Sequence, residues 1–201
     1  MVRAKSDQEL TYMKQAGKIV ALAHQAVKKA IIPGISTKEL NKIVEDVIVT
    51  NGATPSFKGL YGFPTAACIS VNTVLVHGIP DETKLSKGDI VSIDIGACYH
   101  GYHGDSAWTY AVEAVSEETE KLLRLSEESL YEGLKMAKPG NHITDISHAI
   151  GEFVFSHFPL QLSIIGVFVF PGDTALTRMP CLPNSAAKLL VKLTTPAFDA
   201  Q

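Results

Sequence analysis

Near the N-terminus, apolar positions recur at helical spacing. Leu10, Met13, Gly17, Val20 and Val27 follow a capping box, Ser6-Asp7-Gln8-Glu9, and predict a helix to about Ala30, where Ile32-Pro33-Gly34 stops it. A second capping box, Ser36-Thr37-Lys38-Glu39, opens another amphipathic helix through Leu40, Ile43, Val44 and Val47, which stops at Gly52. From Ala66 the texture turns to short β-branched runs. Cys68-Ile69-Ser70-Val71 and Val74-Leu75-Val76, with Asn72-Thr73 between them, predict one hairpin. Ile90-Val91-Ser92-Ile93-Asp94-Ile95 and Ala107-Trp108-Thr109-Tyr110-Ala111-Val112 predict a second, joined by a glycine-rich link over residues 96–104. Ser116-Glu117-Glu118 starts a long helix to about Ala137, closed by Lys138-Pro139-Gly140. Thr144-Asp145 then caps a further helix beginning with Ile146. Helices and hairpins alternate without the rhythm of a parallel sheet, which makes the fold class α+β.

Composition narrows the function classes. The chain has 201 residues, 46% apolar, and a net charge of −3 from 18 basic and 21 acidic residues, so it is read as a single domain over 1–201 with no basic stripe for nucleic acid. Cys68, Cys98 and Cys181 are odd in number and far apart, and the N-terminal residues lack an apolar run. The expected compartment is a reducing cytoplasm.

The chemistry concentrates around Asp94. It sits between Ile93 and Ile95 in an apolar strand, where an ionised carboxylate is costly without a cation or strong donors. Asp105 follows at the start of the partner strand, so the hairpin can set the two carboxylates on one face. With no Lys or Arg in residues 92–110, they repel one another unless a divalent metal bridges them. The bland alternative, hydrogen bonds from turn amides to a structural Asp, stays open on spacing alone. His100 and His103 lie in the glycine-rich link and read as structural. His77 ends a strand and opens His77-Gly78-Ile79-Pro80, a rigid turn that suits either a functional imidazole or a partly buried structural one.

Several segments together resemble the type I methionine aminopeptidases: Thr54-Pro55-Ser56-Phe57-Lys58-Gly59, Gly62-Phe63-Pro64, Cys68-Ile69-Ser70-Val71-Asn72, Val76-His77-Gly78-Ile79-Pro80, Gly88-Asp89-Ile90-Val91-Ser92-Ile93-Asp94 and Gly101-Tyr102-His103-Gly104-Asp105. The resemblance implies a pita-bread fold, two similar halves around two divalent ions (Co, Mn, Fe, Zn or Ni). It implies Asp94 and Asp105 as metal ligands, the second bridging both ions. It implies His77 as a catalytic residue that contacts substrate and helps stabilise the tetrahedral intermediate. Phe63 and Cys68, with Tyr61 and Leu60 at the rim, fall where the family builds its methionine pocket. The implied function is hydrolysis of the N-terminal methionine of nascent polypeptides, near the ribosome, by metal-activated water.

The C-terminal part departs from that pattern. If Pro180-Cys181-Leu182-Pro183-Asn184 echoes a family motif, Phe170 takes the place of a ligand histidine and Thr177 that of a second site histidine. No glutamate follows Asn184. Residues 153–172 hold no charged side chain. A membrane span fits by length but is broken by Ser156, His157, Pro159, Gln161, Ser163 and Gly166, and a core strand pair fits as well. The expectation is an incomplete second half, with residues 153–201 an atypical tail from a frameshift or aberrant gene model and a tendency to poor solubility or dimerisation. Two competing functions remain: a catalytically inactive relative lacking part of the metal site, and an Xaa-Pro peptidase of the same fold.

Overall fold

The computed structural model describes residues 4–157. They fall into two compact units that divide after Ser116.

In the first unit, α1 (Asp7–Ala30) and α2 (Thr37–Thr50) each begin with the capping box that the sequence predicts. The Ser6 hydroxyl accepts from the Glu9 amide at 3.3 Å, and the Glu9 carboxylate accepts from the Ser6 amide at 2.6 Å. Ser36 and Glu39 repeat the exchange at 3.2 and 2.8 Å. The buried stripe of α1 is Ala16, Ile19, Val20, Ala23 and Val27, while Leu10 and Met13 stay exposed; α2 buries Leu40, Val44 and Ile48.

The sheet comprises β1 (Thr54–Pro55), β2 (Ala67–Val71), β3 (Ile90–Tyr99) and β4 (Tyr102–Ala111), all antiparallel. β3 is central: β1 and β2 pair along one edge of it and β4 along the other. Alternation puts Val91, Ile93, Ile95 and Ala97 on the face that packs against α1 and α2 to form the core.

Two expectations need correction. Val74-Leu75-Val76 is not a strand, and β2 takes β3 as its hairpin-like partner instead. The reason lies in Asn72, which adopts a left-handed φ of 48°. Its side chain donates to Asp89 at 2.8 Å and accepts from the Ile90 amide at 3.0 Å, so the turn is committed to the start of β3. The chain comes back to β2 only at Gly78, whose carbonyl accepts from the Ile69 amide at 2.8 Å.

The second correction concerns the glycine-rich link. It is not a loop: the ladder runs on to the pair Tyr99 and Tyr102, closed by His100-Gly101 with φ of 50° and 81°, the two-residue turn that matches strand twist. Gly96 and Gly104 lie inside the strands because other atoms occupy the space of a side chain. A Cβ on Gly96 would meet the Phe57 ring at 2.8 Å, and one on Gly104 would meet the Gly17 amide nitrogen at 2.5 Å.

The second unit contains α3 (Glu117–Leu134) and α4 (Ile143–His157), packed through Leu125, Ser129, Gly133 and Val154. α3 stops short of Ala137. α4 starts three residues before the expected Ile146, since Asp145 accepts from the His142 amide at 2.8 Å from within the first turn. Among the described residues no helix is long and apolar enough to cross a membrane.

Candidate metal centre

The face of the sheet opposite the core carries a different chemistry. Strand alternation and register place Cys68 and Ser70 of β2, Ser92, Asp94 and Cys98 of β3, and His103, Asp105 and Thr109 of β4 on it. With Gly96 and Ala107 standing among them, these polar and thiol residues give this side of the sheet a chemistry unlike that of the packed side, and it is the reactive face of the sheet.

Asp94 registers with Cys68 on one side and Ala107 on the other, while Asp105 registers with Gly96. The two carboxylates are therefore diagonal neighbours on the same face, a separation that side chains span. Asp94 is half-buried, and its Oδ1 is sealed from solvent without a hydrogen-bond partner. Burial first, and then the charge of Asp105, push the Asp94 carboxyl up to about 7. Asp105 is more exposed, yet its carboxyl is also raised, with desolvation as the main cause, opposed by a hydrogen bond with Asp94 and by His103 and His24. Beside them Cys68 is buried, and desolvation with the two carboxylates pushes its thiol up to about 12, so it is a neutral apolar wall at physiological pH.

These observations fit a divalent cation. An orphaned carboxylate oxygen beside a second carboxylate is a pair of hard donors with unmet charge, which a metal ion satisfies directly. Among the described residues no group of three or more His, Cys, Asp or Glu is assembled for a metal. Phe170 and Thr177 lie outside the described residues.

His77 adopts a left-handed φ of 56° and is exposed. The residue after it is pinned: a Cβ on Gly78 would fall 2.2 Å from the Ile69 carbonyl oxygen, and its amide donates to the Ser70 hydroxyl at 3.2 Å. His77 is thereby held beside β2, next to the level of Ile69 and Ser70. Phe63 is half-buried, whereas Leu60 and Tyr61 sit on an exposed turn, with Tyr61 87% exposed at φ 48°.

His103 is where linear reading missed a contact. It stands on the reactive face two positions from Asp105, and its Nδ1 is hydrogen-bonded to the Ser56 hydroxyl at 2.8 Å. His24, which nothing in the sequence singled out, bonds to β4 residues more than eighty positions away. His100 packs structurally, stacked on Tyr12 at 4.8 Å.

Residues 11–172 match metallopeptidase family M24, and the chain belongs to that family. Within it, the similarity is to the methionine aminopeptidases. The chain is 53% identical over 172 residues to methionine aminopeptidase 1 of Bacillus subtilis, covering 86% of this chain and 68% of that protein. It superposes on the methionine aminopeptidase of Thermotoga maritima with a TM-score of 0.76 at 42% identity, over 78% of this chain and 64% of that one. The prolidase of Pyrococcus furiosus shares the fold with a TM-score of 0.69 at 25% identity, over 77% of this chain and 44% of that one. The chain thus spans about two thirds of the length of the methionine aminopeptidases it matches. Residues 173–201 lie outside the family match.

Proposed function

We propose that this chain is organised to remove the initiator methionine from nascent polypeptides in the cytoplasm, using divalent metal ions held in part by Asp94 and Asp105. The single observation that carries this reading is the carboxylate pair on the reactive face of the sheet, with Asp94 Oδ1 buried and unpartnered. When bound, divalent ions at this pair supply a water of lowered pKa and polarise the scissile carbonyl.

The chain's own residues set the conditions for that chemistry. Asp94 and Asp105, ionised, hold the cations; Cys68, neutral, walls the site against water from the β2 side. His77 is the imidazole that follows β2, and the pinned Gly78 keeps its backbone beside Ile69 and Ser70, where the resemblance assigns it a contact with the substrate. Phe63, with Tyr61 and Leu60 at the rim, offers apolar surface for an unbranched thioether side chain. His77, Phe63, Cys68 and Tyr61 are assigned to substrate on these grounds.

A second reading is an inactive relative. It is favoured by Phe170 and Thr177 at positions where the resemblance puts histidines. Hydrolysis of a Met-Ala-type peptide with manganese, cobalt or iron supplied separates the two, and an Ala-Pro-type peptide tests the Xaa-Pro alternative. Cleavage of the first alone supports the proposal. Cleavage of neither supports the inactive relative.

A further inference from the structure

We infer that α1 is a positioning clamp for Asp105, and that His24 is the polar half of its grip. This rests on the metal reading of Asp105 and adds to it a residue from outside the reactive face.

Asp105 lies on β4, which pairs only with β3 among the described residues, so its far edge has no strand to fix it. Both of its neighbours in the chain are instead held by α1. On one side Gly104 is pressed so closely against the helix that a Cβ there would lie 2.5 Å from the Gly17 nitrogen and 2.7 Å from the Ala16 carbonyl carbon. On the other side the Ser106 carbonyl oxygen is 3.0 Å from His24 Nε2. Gly17 and His24 are two helical turns apart and share one face of α1, so the two contacts bracket the peptide that carries Asp105.

The hydrogen bonds define the state of His24. A carbonyl oxygen only accepts, so Nε2 carries the proton. In the neutral imidazole Nδ1 then has a lone pair, which accepts from the Tyr110 hydroxyl at 2.9 Å. Both ring nitrogens are used, in one tautomer, by groups 82 and 86 positions away. Burial, the largest influence on this imidazole, holds it below its ordinary pKa and so favours the same neutral form. Tyr110 is 8% exposed, and its hydroxyl is fixed by the same bond.

The consequence is mechanical. A carboxylate that would hold a cation must be placed to within about half an ångström, and groups that orient a ligand from behind are worth about 10- to 100-fold in metal affinity. The rival account is that the His24–Tyr110 bond only satisfies a buried hydroxyl. The two accounts differ in what a glutamine does. The His24→Gln side chain can place its amide N–H at the Nε2 position and keep the donation to Ser106, whereas the shorter His24→Asn side chain puts its amide near the Nδ1 position, within reach of Tyr110 but not of Ser106.

The experiment titrates the 201-residue chain and its His24→Gln, His24→Asn and His24→Ala variants with manganese(II) alone by calorimetry, and follows folding by circular dichroism. His24→Gln is expected to bind close to the parent value, and His24→Asn and His24→Ala at least about tenfold more weakly while still folded. Equal affinity of the Gln and Asn variants overturns the clamp, whether or not the alanine variant folds. A parent chain that binds no manganese overturns the metal reading itself and the clamp with it.

Discussion

Asp94 and Asp105 stand one diagonal step apart on the same face of the β3–β4 hairpin, because Asp94 registers with Ala107 and Asp105 with Gly96. Without a cation this is an unfavourable pairing, and its consequences can be measured on the chain alone.

The first is in the pH dependence of stability. Asp94 is raised to about 7 in the folded, metal-free chain against about 3.9 when unfolded, so between these values the folded state binds the extra proton. Its contribution is therefore full below about pH 4 and is lost as pH rises through about 7. His24 has the opposite sign, because its lowered pKa makes the unfolded state the better proton acceptor below about 6.5. The clean measurement is the difference in thermal midpoint between the parent and Asp94→Asn. The Asn variant should gain relative to the parent as pH rises from about 5 to about 8, as order-of-magnitude bounds of the window. A constant difference would contradict the burial of Asp94. Added manganese should reduce the parent's loss and not affect the variant in the same way.

Gly104→Ala forces a Cβ against the backbone of α1, where neither partner is a flexible side chain. The expected cost is about 1 to 3 kcal/mol of stability, as for other overpacked contacts. Chemical denaturation reads it, and a cost near zero would show that α1 and β4 do not approach as described.

Gly17 makes the contrast. It receives the close approach of Gly104 through its backbone, but a Cβ of its own would meet nothing within 4 Å. Gly17→Ala should therefore stabilise the chain by up to about 1 kcal/mol through helix propensity alone. The same denaturation experiment checks it, and destabilisation would mean that the space beside Gly17 is filled.

Most of the fold of the first unit was legible in the sequence because its signals are local. Ser6 and Ser36 cap the helices they announce, and the apolar alternation of Val91, Ile93 and Ile95 is set by one packed face. What was not legible depends on contacts remote in the chain. Gly96 and Gly104 read as loop residues because the atoms that fill their side-chain space belong to Phe57 and Gly17. Asn72 read as the turn of a hairpin because its bonds to Asp89 and Ile90 cannot be seen from its neighbours. Asp94 could be singled out as a polar residue in an apolar strand. His24 could not, since its partners are Ser106 and Tyr110.

Cys68 offers a chemical check on the site's environment. Its thiol is buried and pushed up to about 12 by desolvation and the carboxylates, so almost no thiolate is present at neutral pH. Iodoacetamide at about pH 8 should leave Cys68 unmodified in the folded chain and alkylate it after denaturation, as read by peptide mass mapping, with the reagent pH chosen about half a unit below the ordinary thiol value. Modification of the folded chain at Cys68 would place it in a more open setting than the structure gives.

The central claim is that Asp94 and Asp105 are metal ligands, and metal binding tests it most directly. Calorimetric titration of the metal-free chain with manganese(II), repeated on Asp94→Asn and Asp105→Asn, should show saturable binding for the parent and its loss by about tenfold or more in each variant. Binding that is absent from the parent, or unchanged in both variants, would contradict it.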